Sequence, residues 1–370
     1  MRIDIFCKVV DNYGDAGFCW RLARRLTEIL ANHHFTVSGH NIRLFCDDLS
    51  LIHQLAGKTT LSNLSQLGLE LHPWQVSEAM ILTDDVPDLV LETFSCDLPE
   101  HYITQITNSL LINVEYLSAE PWVEDMHGLA TLANDSKQAK RYFYYPGFNE
   151  KTGGLLGKTE QSHLLCTPSH IIDDLFQQTR PSSTKISVFN YGDQKLIDFL
   201  NQLIELDTKV DLFICSGKPQ TAIARWLHQA FTETIDVGQM RLIPTPFMPQ
   251  DEYDKLLAYC DLNWVRGEDS FIRAQWAAKP FIWDIYPQED LVHLEKLDAF
   301  LNIYLPKNNL GLTEKTRKMM TNQPVNEWWD GLSSIRQHAL DWQNTLATRQ
   351  LDGDLGDRLL KFAKPLLKKG

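Results

Sequence analysis

Short apolar runs alternate along the chain with segments whose apolar residues recur at helical spacing. Residues 2–10 form a predicted strand, and residues 16–30 form a predicted helix with one apolar face. Further predicted strands of the first half lie at 42–46, 88–92 and 110–114. This alternation is typical of parallel βαβ units, in which helices cover both faces of a sheet.

The pattern fades between 142 and 184, where Gly, Pro and Ser cluster, and this stretch is the predicted domain junction. A second series follows it. Its predicted strands lie at 185–191, 210–216, 239–243, 261–265 and 281–285, and its predicted helices at 194–205, 220–231, 250–260 and 269–279. From 288 onward the pattern is helical and ends in a predicted helix at 354–369.

We therefore predict an α/β protein with two Rossmann-like domains, 1–180 and 181–350, followed by a helical tail, 351–370. Ligands of such sheets bind at the carboxyl ends of the strands, where the loops between strand and helix meet. With two such domains in one chain, a central cleft that both domains face is the expected binding site.

Composition and charge narrow the function classes. The chain of 370 residues holds 35 Lys and Arg against 48 Asp and Glu, a net charge of −13, which argues against a basic surface that binds nucleic acid. No run approaches the ~20 apolar residues of a membrane span, and the N-terminal residues do not resemble a secretory leader. The 7 cysteines are scattered and never spaced as CxxC, which indicates reduced thiols and a cytoplasmic location.

Several common motifs are absent or incomplete. No GxGxxG follows a predicted strand, and the glycine-rich run at 153–159 lacks the first Gly of a phosphate-binding P-loop. Adjacent acidic pairs such as Asp47 and Asp48 are more typical of helix caps than of metal sites. We expect no metal and no resident cofactor.

Asp11, Tyr13, Gly14, Asp15 and Gly17 form the first candidate site, between the first predicted strand and the helix that follows it. Glycines at two positions predict a tight loop that a ligand can approach closely. The two carboxylates are candidate catalytic groups, and the other three residues are candidate donor contacts. The alternative is that the acids only cap the strand and the helix.

Arg266, Gly267, Glu268, Asp269 and Ser270 form the second candidate site, at the same kind of junction in the second domain. Gly267 allows a tight turn, and the free amides at the start of the helix suit a diphosphate. Arg266 is a candidate for neutralising a leaving phosphate. An acidic helix cap is again the alternative.

Two shorter segments lie at the same predicted sheet edge. Phe189 and Tyr191 end the first predicted strand of the second domain, and Phe247 and Gln250 lie where another of its predicted helices begins. An aromatic ring stacks on a base and an amide reads its edge, so these residues are candidate donor contacts. Core packing is the alternative for each of them.

These motifs resemble those of a known family. The runs Asp-Asn-Tyr-Gly-Asp at 11–15, Trp-Arg-Leu-Ala-Arg at 20–24 and Arg-Gly-Glu-Asp-Ser-Phe-Ile-Arg-Ala-Gln-Trp at 266–276 are similar to those of the protein-arginine rhamnosyltransferases that modify translation elongation factor P, the EarP family. The resemblance implies a GT-B fold whose C-terminal helix packs back on the first domain. It also implies transfer of rhamnose from dTDP-β-L-rhamnose to an arginine of elongation factor P, with inversion and without a metal.

The resemblance also assigns roles to the acidic residues. Asp11 and Asp15 match the paired N-terminal aspartates of the family, with Asp15 as the expected general base. Glu268 matches an essential glutamate, expected either to act in catalysis or to position the donor.

The donor contacts carry over in the same way. Asp269 and Ser270 match contacts to the donor diphosphate, Phe247 and Gln250 a thymine pocket, and Tyr191 a tyrosine that touches the donor.

Two other functions stay open at this point: a nucleotide-sugar-binding regulator without transfer activity, and a transferase for a small-molecule acceptor. For docking of a protein acceptor, Glu92, Glu115, Glu120 and Trp122 are candidates to surround a cationic arginine. Solvated loop acids are the alternative for that group.

Overall fold

The computed structural model describes residues 1–10, 13–32, 41–131, 140–157, 170–192, 194–286 and 292–367. Its helices are α1 Tyr13–Asn32, α2 Leu49–Ala56, α3 Lys58–Gln66, α4 Trp74–Ala79, α5 Glu100–Ile103, α6 Trp122–Met126, α7 His170–Gln177, α8 Gln194–Ile204, α9 Lys218–Trp226, α10 Gln250–Tyr259, α11 Asp269–Trp276, α12 Val292–Tyr304, α13 Leu310–Met320, α14 Leu332–Arg349 and α15 Leu355–Leu367. Its strands are β1 Arg2–Cys7, β2 Asn41–Cys46, β3 Leu69–Pro73, β4 Leu89–Thr93, β5 Leu110–Val114, β6 Arg141–Tyr144, β7 Thr184–Val188, β8 Val210–Cys215, β9 Ile235–Val237, β10 Met240–Thr245, β11 Leu262–Arg266 and β12 Phe281–Asp284.

The chain forms two compact units. Unit 1 consists of Met1–Thr167 together with Ala347–Gly370, and unit 2 consists of Pro168–Leu346. The sequence analysis placed α7 in the first domain. In the structure α7 belongs to unit 2, because Ile172 packs with Phe213 and Ile243 in one apolar cluster.

The sheet of unit 1 has the strand order β3-β2-β1-β4-β5-β6, and all its neighbours are parallel. Its inner strands are buried on both faces, as β5 illustrates, where all of Leu110–Val114 is buried. The chain adds strands on one side of β1 and then crosses to β4. The topological switch point, where ligands bind in such sheets, therefore lies at the carboxyl ends of β1 and β4.

The sheet of unit 2 has the order β12-β11-β7-β8-β10-β9, with only the edge strand β9 antiparallel to its neighbour among the strands of this sheet that the structure describes. Its switch point lies between β7 and β11 by the same reasoning. The two sheets are both Rossmann-like, which confirms the predicted fold class.

Three strands escape the sequence analysis: β3, β6 and β9. All three lie at the edges of their sheets and are partly exposed. β3 and β9 therefore lack the apolar run by which a buried strand is recognised, and the aromatic residues of β6 fall at the start of the predicted domain junction, 142–184. The first predicted strand is also shorter than expected, since β1 ends at Cys7.

The C-terminal helix α15 packs within unit 1. The Phe362 ring lies 5.5 Å from the ring of Tyr144 and 5.9 Å from that of Tyr142. Arg25 of α1 donates to Asp354 and to Asp357, each at 2.8 Å. No helix within the described ranges is long and apolar enough to cross a membrane.

Candidate active site

The first candidate segment is helical rather than a loop. Helix α1 begins at Tyr13, so Tyr13, Gly14, Asp15 and Gly17 all lie in its first two turns, and the predicted tight loop is wrong at these positions. Asp15 in the first turn favours this early start, because a negative charge stabilises a helix N-terminus. Asp11 lies outside the described residues.

Asp15, in the first turn of α1, is held against the segment that follows β1. Its side chain is only 3% exposed. The backbone amide of Val10 donates to Oδ2 at 2.8 Å, and the hydroxyl of Tyr116 donates to Oδ1 at 3.5 Å. The carboxylate therefore fixes the segment that leads into α1, through an amide that precedes the helix, and it also lies at the switch point of the sheet.

The segment after β4 is strained, and the sequence analysis did not anticipate this. Phe94, Ser95 and Asp97 adopt left-handed backbone conformations, with φ of 56°, 52° and 55°. For residues other than glycine, such conformations cost about 1–3 kcal/mol each and persist only where the surroundings fix them. No residue type marks them in the sequence.

Asn113 fixes the first part of this segment. Its Oδ1 accepts from the backbone amide of Ser95 at 3.1 Å, and its Nδ2 donates to Ser95 Oγ at 2.8 Å and to Glu115 Oε1 at 2.6 Å. The Ser95 hydroxyl donates to the same Glu115 oxygen at 3.1 Å. Asn113 itself is fully buried, so this network is rigid.

Glu92 fixes the second part. Its Oε1 accepts from the backbone amide of Asp97 at 3.0 Å, and its Oε2 lies 3.0 Å from Nε of Arg141. Burial raises the pKa of the Glu92 carboxyl, against the opposing effect of the Arg141 charge. Because Glu92 is fully buried, its predicted part in surrounding an arginine is wrong. Glu115 and Glu120 are half-buried, and Trp122 is exposed.

In unit 2, Arg266 lies between two aromatic rings at the switch point. Its Cζ is 4.4 Å from the centroid of Phe189 and 4.8 Å from that of Tyr191. Its Nη1 donates to the backbone carbonyl of Asn190 at 3.2 Å. The structure thus brings together three of the predicted donor contacts, from β7 and β11, and leaves a positive charge at this sheet edge.

The start of α11 joins two more predicted contacts. The hydroxyl of Ser270 accepts from the backbone amide of Arg266 at 3.2 Å and donates to its carbonyl. Gln250, the first residue of α10, donates through Nε2 to Asp269 Oδ2 at 3.0 Å. Gln250 and Asp269 are both buried, so they form a fixed pair between two helix N-termini.

Glu268 and Phe247 lie at the same edge of the sheet. Glu268 occupies the N-cap position of α11 and is half-buried. Phe247 follows β10 and is half-buried as well. Both are therefore accessible in part to a ligand at the carboxyl ends of the strands.

Glycine shapes the turns around this site. Gly267 has a φ of 65°, which confirms the predicted tight turn. Gly192 also has a φ of 65°, and a Cβ atom there would lie 2.4 Å from the backbone carbonyl oxygen of Lys218. Only glycine fits such an approach.

Two residues of this site escaped the sequence analysis. Asp284, at the end of β12, accepts from the backbone amide of Tyr191 at 3.0 Å and pairs with Lys195 at 3.6 Å. Lys218 Nζ lies 5.4 Å from the centroid of the Tyr191 ring. The signal available for Asp284 was an acid that directly ends an apolar strand.

Two successive Rossmann-like sheets, with a fixed carboxylate at one switch point and a cation between aromatic rings at the other, fit the GT-B fold class. A family model described as elongation factor P (EF-P) rhamnosyltransferase EarP matches residues 3–364. The chain belongs to this family and is a protein-arginine rhamnosyltransferase.

Individual relatives agree with this assignment. The protein-arginine rhamnosyltransferase of Pseudomonas aeruginosa is 35% identical over 383 residues, which cover 97% of this chain and 98% of the relative. That of Shewanella oneidensis is 33% identical over 404 residues, with coverages of 98% and 97%. A solved structure that describes EarP-mediated arginine glycosylation of translation elongation factor EF-P is 25% identical, covers 98% of this chain and 99% of its own, and superposes with a TM-score of 0.62.

Proposed function

We propose that the protein transfers L-rhamnose from dTDP-β-L-rhamnose to one arginine side chain of translation elongation factor P, in the cytoplasm, with inversion and without a metal ion. Membership of the EarP family supports the acceptor and the sugar. The observation that carries the proposal is the buried Asp15 carboxylate, held in a defined orientation at the β1–β4 switch point.

The reaction is a single in-line displacement at the anomeric carbon. A bond forms between a guanidinium nitrogen and the anomeric carbon while the bond to the diphosphate oxygen breaks. The proton released from the nitrogen passes to a carboxylate, and dTDP leaves with the bonding electrons. The proposal requires donor and acceptor residues to reach the same carbon during the reaction.

Asp15 is the general base of this proposal. A guanidinium is a poor nucleophile, because its pKa is above about 12 and its charge is delocalised. A carboxylate can hold the planar guanidinium by hydrogen bonds and accept its proton as the new bond forms, which makes the nitrogen a better nucleophile. Asp11, by its place in the family motif, is the second carboxylate for the guanidinium.

The leaving group gains negative charge as the bond breaks. Arg266, held between Phe189 and Tyr191, and the amides at the start of α11 stabilise this charge without a metal. Asp269 and Ser270 hold that helix start in place. Glu268, at the N-cap, positions the ribose or the rhamnose.

The base of the donor has its own contacts in the proposal. Phe247 stacks on the thymine, and Gln250 lies at its edge. Tyr13, Gly14 and Gly17 at the start of α1 stay predicted donor contacts.

The test is the mass of intact elongation factor P after incubation with the enzyme and dTDP-β-L-rhamnose. We expect a gain of one deoxyhexose, undiminished by EDTA, and none when the modified arginine is replaced by lysine. NMR of the glycopeptide distinguishes α from β linkage and so tests inversion. Donor binding without any mass gain would instead favour a nucleotide-sugar-binding regulator.

A further inference from the structure

An aromatic pair, Phe94 with Tyr116, lies beside the Asp15 carboxylate in unit 1. The two rings are stacked with centroids 4.2 Å apart and planes 11° apart. Phe94 also contacts Phe18 of α1, at 5.2 Å between centroids. Phe94 is half-buried and Tyr116 is 36% exposed, so Phe94 supports a ring that solvent reaches. We refer to Phe94 and Tyr116 as the aromatic platform.

The aromatic platform is joined to the candidate base. The Tyr116 hydroxyl donates to Asp15 Oδ1 at 3.5 Å, which places the edge of the exposed ring next to the carboxylate. Glu115, the preceding residue, adds a second negative charge, held by Asn113 and Ser95. An aromatic ring face beside carboxylates attracts cations. Among side chains, the flat and delocalised guanidinium of arginine suits such a site best.

The backbone of the aromatic platform is held in an unfavourable conformation at Phe94. Phe94 has a left-handed conformation, and its amide donates to the backbone carbonyl of Val114 at 2.8 Å. Strain that the surroundings hold in place at a switch point is typical of functional segments. Phe94 therefore packs on the buried Phe18 on one side and supports the solvent-exposed ring of Tyr116 on the other.

We propose that the aromatic platform binds the guanidinium group of the acceptor arginine by stacking on Tyr116, and so presents it to Asp15. This inference rests on the proposed function, since it assumes an arginine acceptor. Tyr116 is a positioning residue in this scheme: its ring holds the acceptor, and the proton goes to Asp15.

The test compares Tyr116→Leu with Tyr116→Phe in steady-state transfer to elongation factor P. Loss of the ring in Tyr116→Leu should raise the acceptor KM about tenfold, with the donor Kd and the kcat changed less than about twofold. Tyr116→Phe keeps the ring, so it should keep the acceptor KM within about threefold of the wild type.

Tyr259 provides a matched control. Its ring stacks on Phe176 at 3.6 Å, and its hydroxyl bonds to Thr179 at 2.9 Å, at the opposite end of α10 from Gln250 and in unit 2 rather than unit 1. Tyr259→Leu removes a comparable stacked ring, and we expect the acceptor KM to stay at the wild-type value. Equal effects of Tyr259→Leu and Tyr116→Leu would show general destabilisation and overturn the proposal.

Other results separate the proposal from the proposed function. An unchanged acceptor KM in Tyr116→Leu, with wild-type transfer intact, overturns the aromatic platform alone. Absence of transfer by the wild type overturns the proposed function. If Tyr116→Leu fails to fold, Phe94→Leu decides: it leaves Tyr116 without its support and should raise the acceptor KM about threefold, and an unchanged KM there overturns the proposal.

Discussion

Both switch points place residues in the left-handed region of backbone conformation, but the two units use different residues to do so. In unit 2 the turns beside the site contain Gly192 and Gly267, which adopt this region without penalty. In unit 1 the residues in this region are Phe94, Ser95 and Asp97. For side chains such as these the left-handed conformation is unfavourable.

The difference lies in what holds each turn. The unit 2 turn needs close backbone approach, and glycine permits that directly. The unit 1 turn needs side chains at the strained positions, so it relies on buried hydrogen-bonding groups, Asn113 and Glu92, to hold their amides. Unit 1 therefore stores strain where the proposed acceptor binds, whereas unit 2 binds its proposed donor on an unstrained backbone.

The largest expected effect concerns the chemistry at unit 1. Asp15→Asn should lower kcat by about 10²–10⁴-fold with little change in donor Kd, because an amide caps a helix as well as a carboxylate does but cannot accept the proton. Rapid-quench measurement of transfer to elongation factor P checks this.

Asp48 gives the control for this variant. It caps α2 by accepting from the amides of Ser50 and Leu51. Asp48→Asn should leave kcat unchanged. Near-normal turnover in Asp15→Asn would show that Asp15 is not the general base and that its role is only to stabilise the start of the helix.

A second variant places in unit 2 the kind of strain that unit 1 contains. Gly192→Ala should lower the free energy of unfolding by about 3 kcal/mol, because it adds a left-handed alanine and a Cβ that meets the Lys218 carbonyl. Gly238 has a φ of 58°, and a Cβ added there would meet no atom of the described residues within 4 Å, so Gly238→Ala should cost only about 1 kcal/mol. Chemical denaturation measures both, and equal losses would contradict the close approach.

A third variant removes the support of the unit 1 segment. Asn113→Ala should lower the free energy of unfolding by about 2 kcal/mol, since it leaves the Ser95 amide without its acceptor and removes one of the two donors to Glu115 Oε1. It should also raise the acceptor KM and leave the donor Kd as it is. Asn113→Asp keeps the acceptor for the Ser95 amide but places a second carboxylate against Glu115, so its loss of stability combines the lost bond with charge repulsion. An unchanged free energy of unfolding in Asn113→Ala would contradict the supporting role of Asn113.

The smallest expected effect comes from placing glycine, the residue that unit 2 has in its turns, at a strained position of unit 1. Asp97 is exposed and has a φ of 55°, so Asp97→Gly should raise the free energy of unfolding by about 1 kcal/mol. Asp97→Ala removes the same charge but keeps the strain, and it should not stabilise the protein. If Asp97→Ala and Asp97→Gly have the same free energy of unfolding, the left-handed backbone at this position does not lower the stability of the protein.

The comparison also explains what could be predicted from the sequence. The buried strands and amphipathic helices were visible by their periodicity, and the turn at Gly267 was visible because glycine itself signals it. The edge strands β3 and β9 were not, since they carry no continuous apolar run, and β6 was not because its aromatic residues begin the stretch assigned to the domain junction. The two candidate sites were predicted from their motifs and stay predictions, and the start of α1 at Tyr13 shows that glycines in a motif do not require a loop.

The part of the site that the sequence patterns did not predict depends on contacts between residues far apart in the chain. Phe94 and Tyr116 are separated by a helix and a strand, and neither carries a motif. Asp284 meets the amide of Tyr191 across 93 residues of sequence. Such pairings arise only when parallel strands end at the same edge, so no local pattern records them.

The division of unit 1 by the inserted residues 168–346 has a consequence for synthesis on the ribosome. Helix α1 emerges early, but its partners around Asp354, which pairs with Arg25, are among the last residues to be made. The whole of unit 2 can therefore complete its fold while unit 1 waits for α15. Until Phe362 docks, the nascent chain leaves an apolar face of unit 1 uncovered, which is the kind of surface that chaperones recognise.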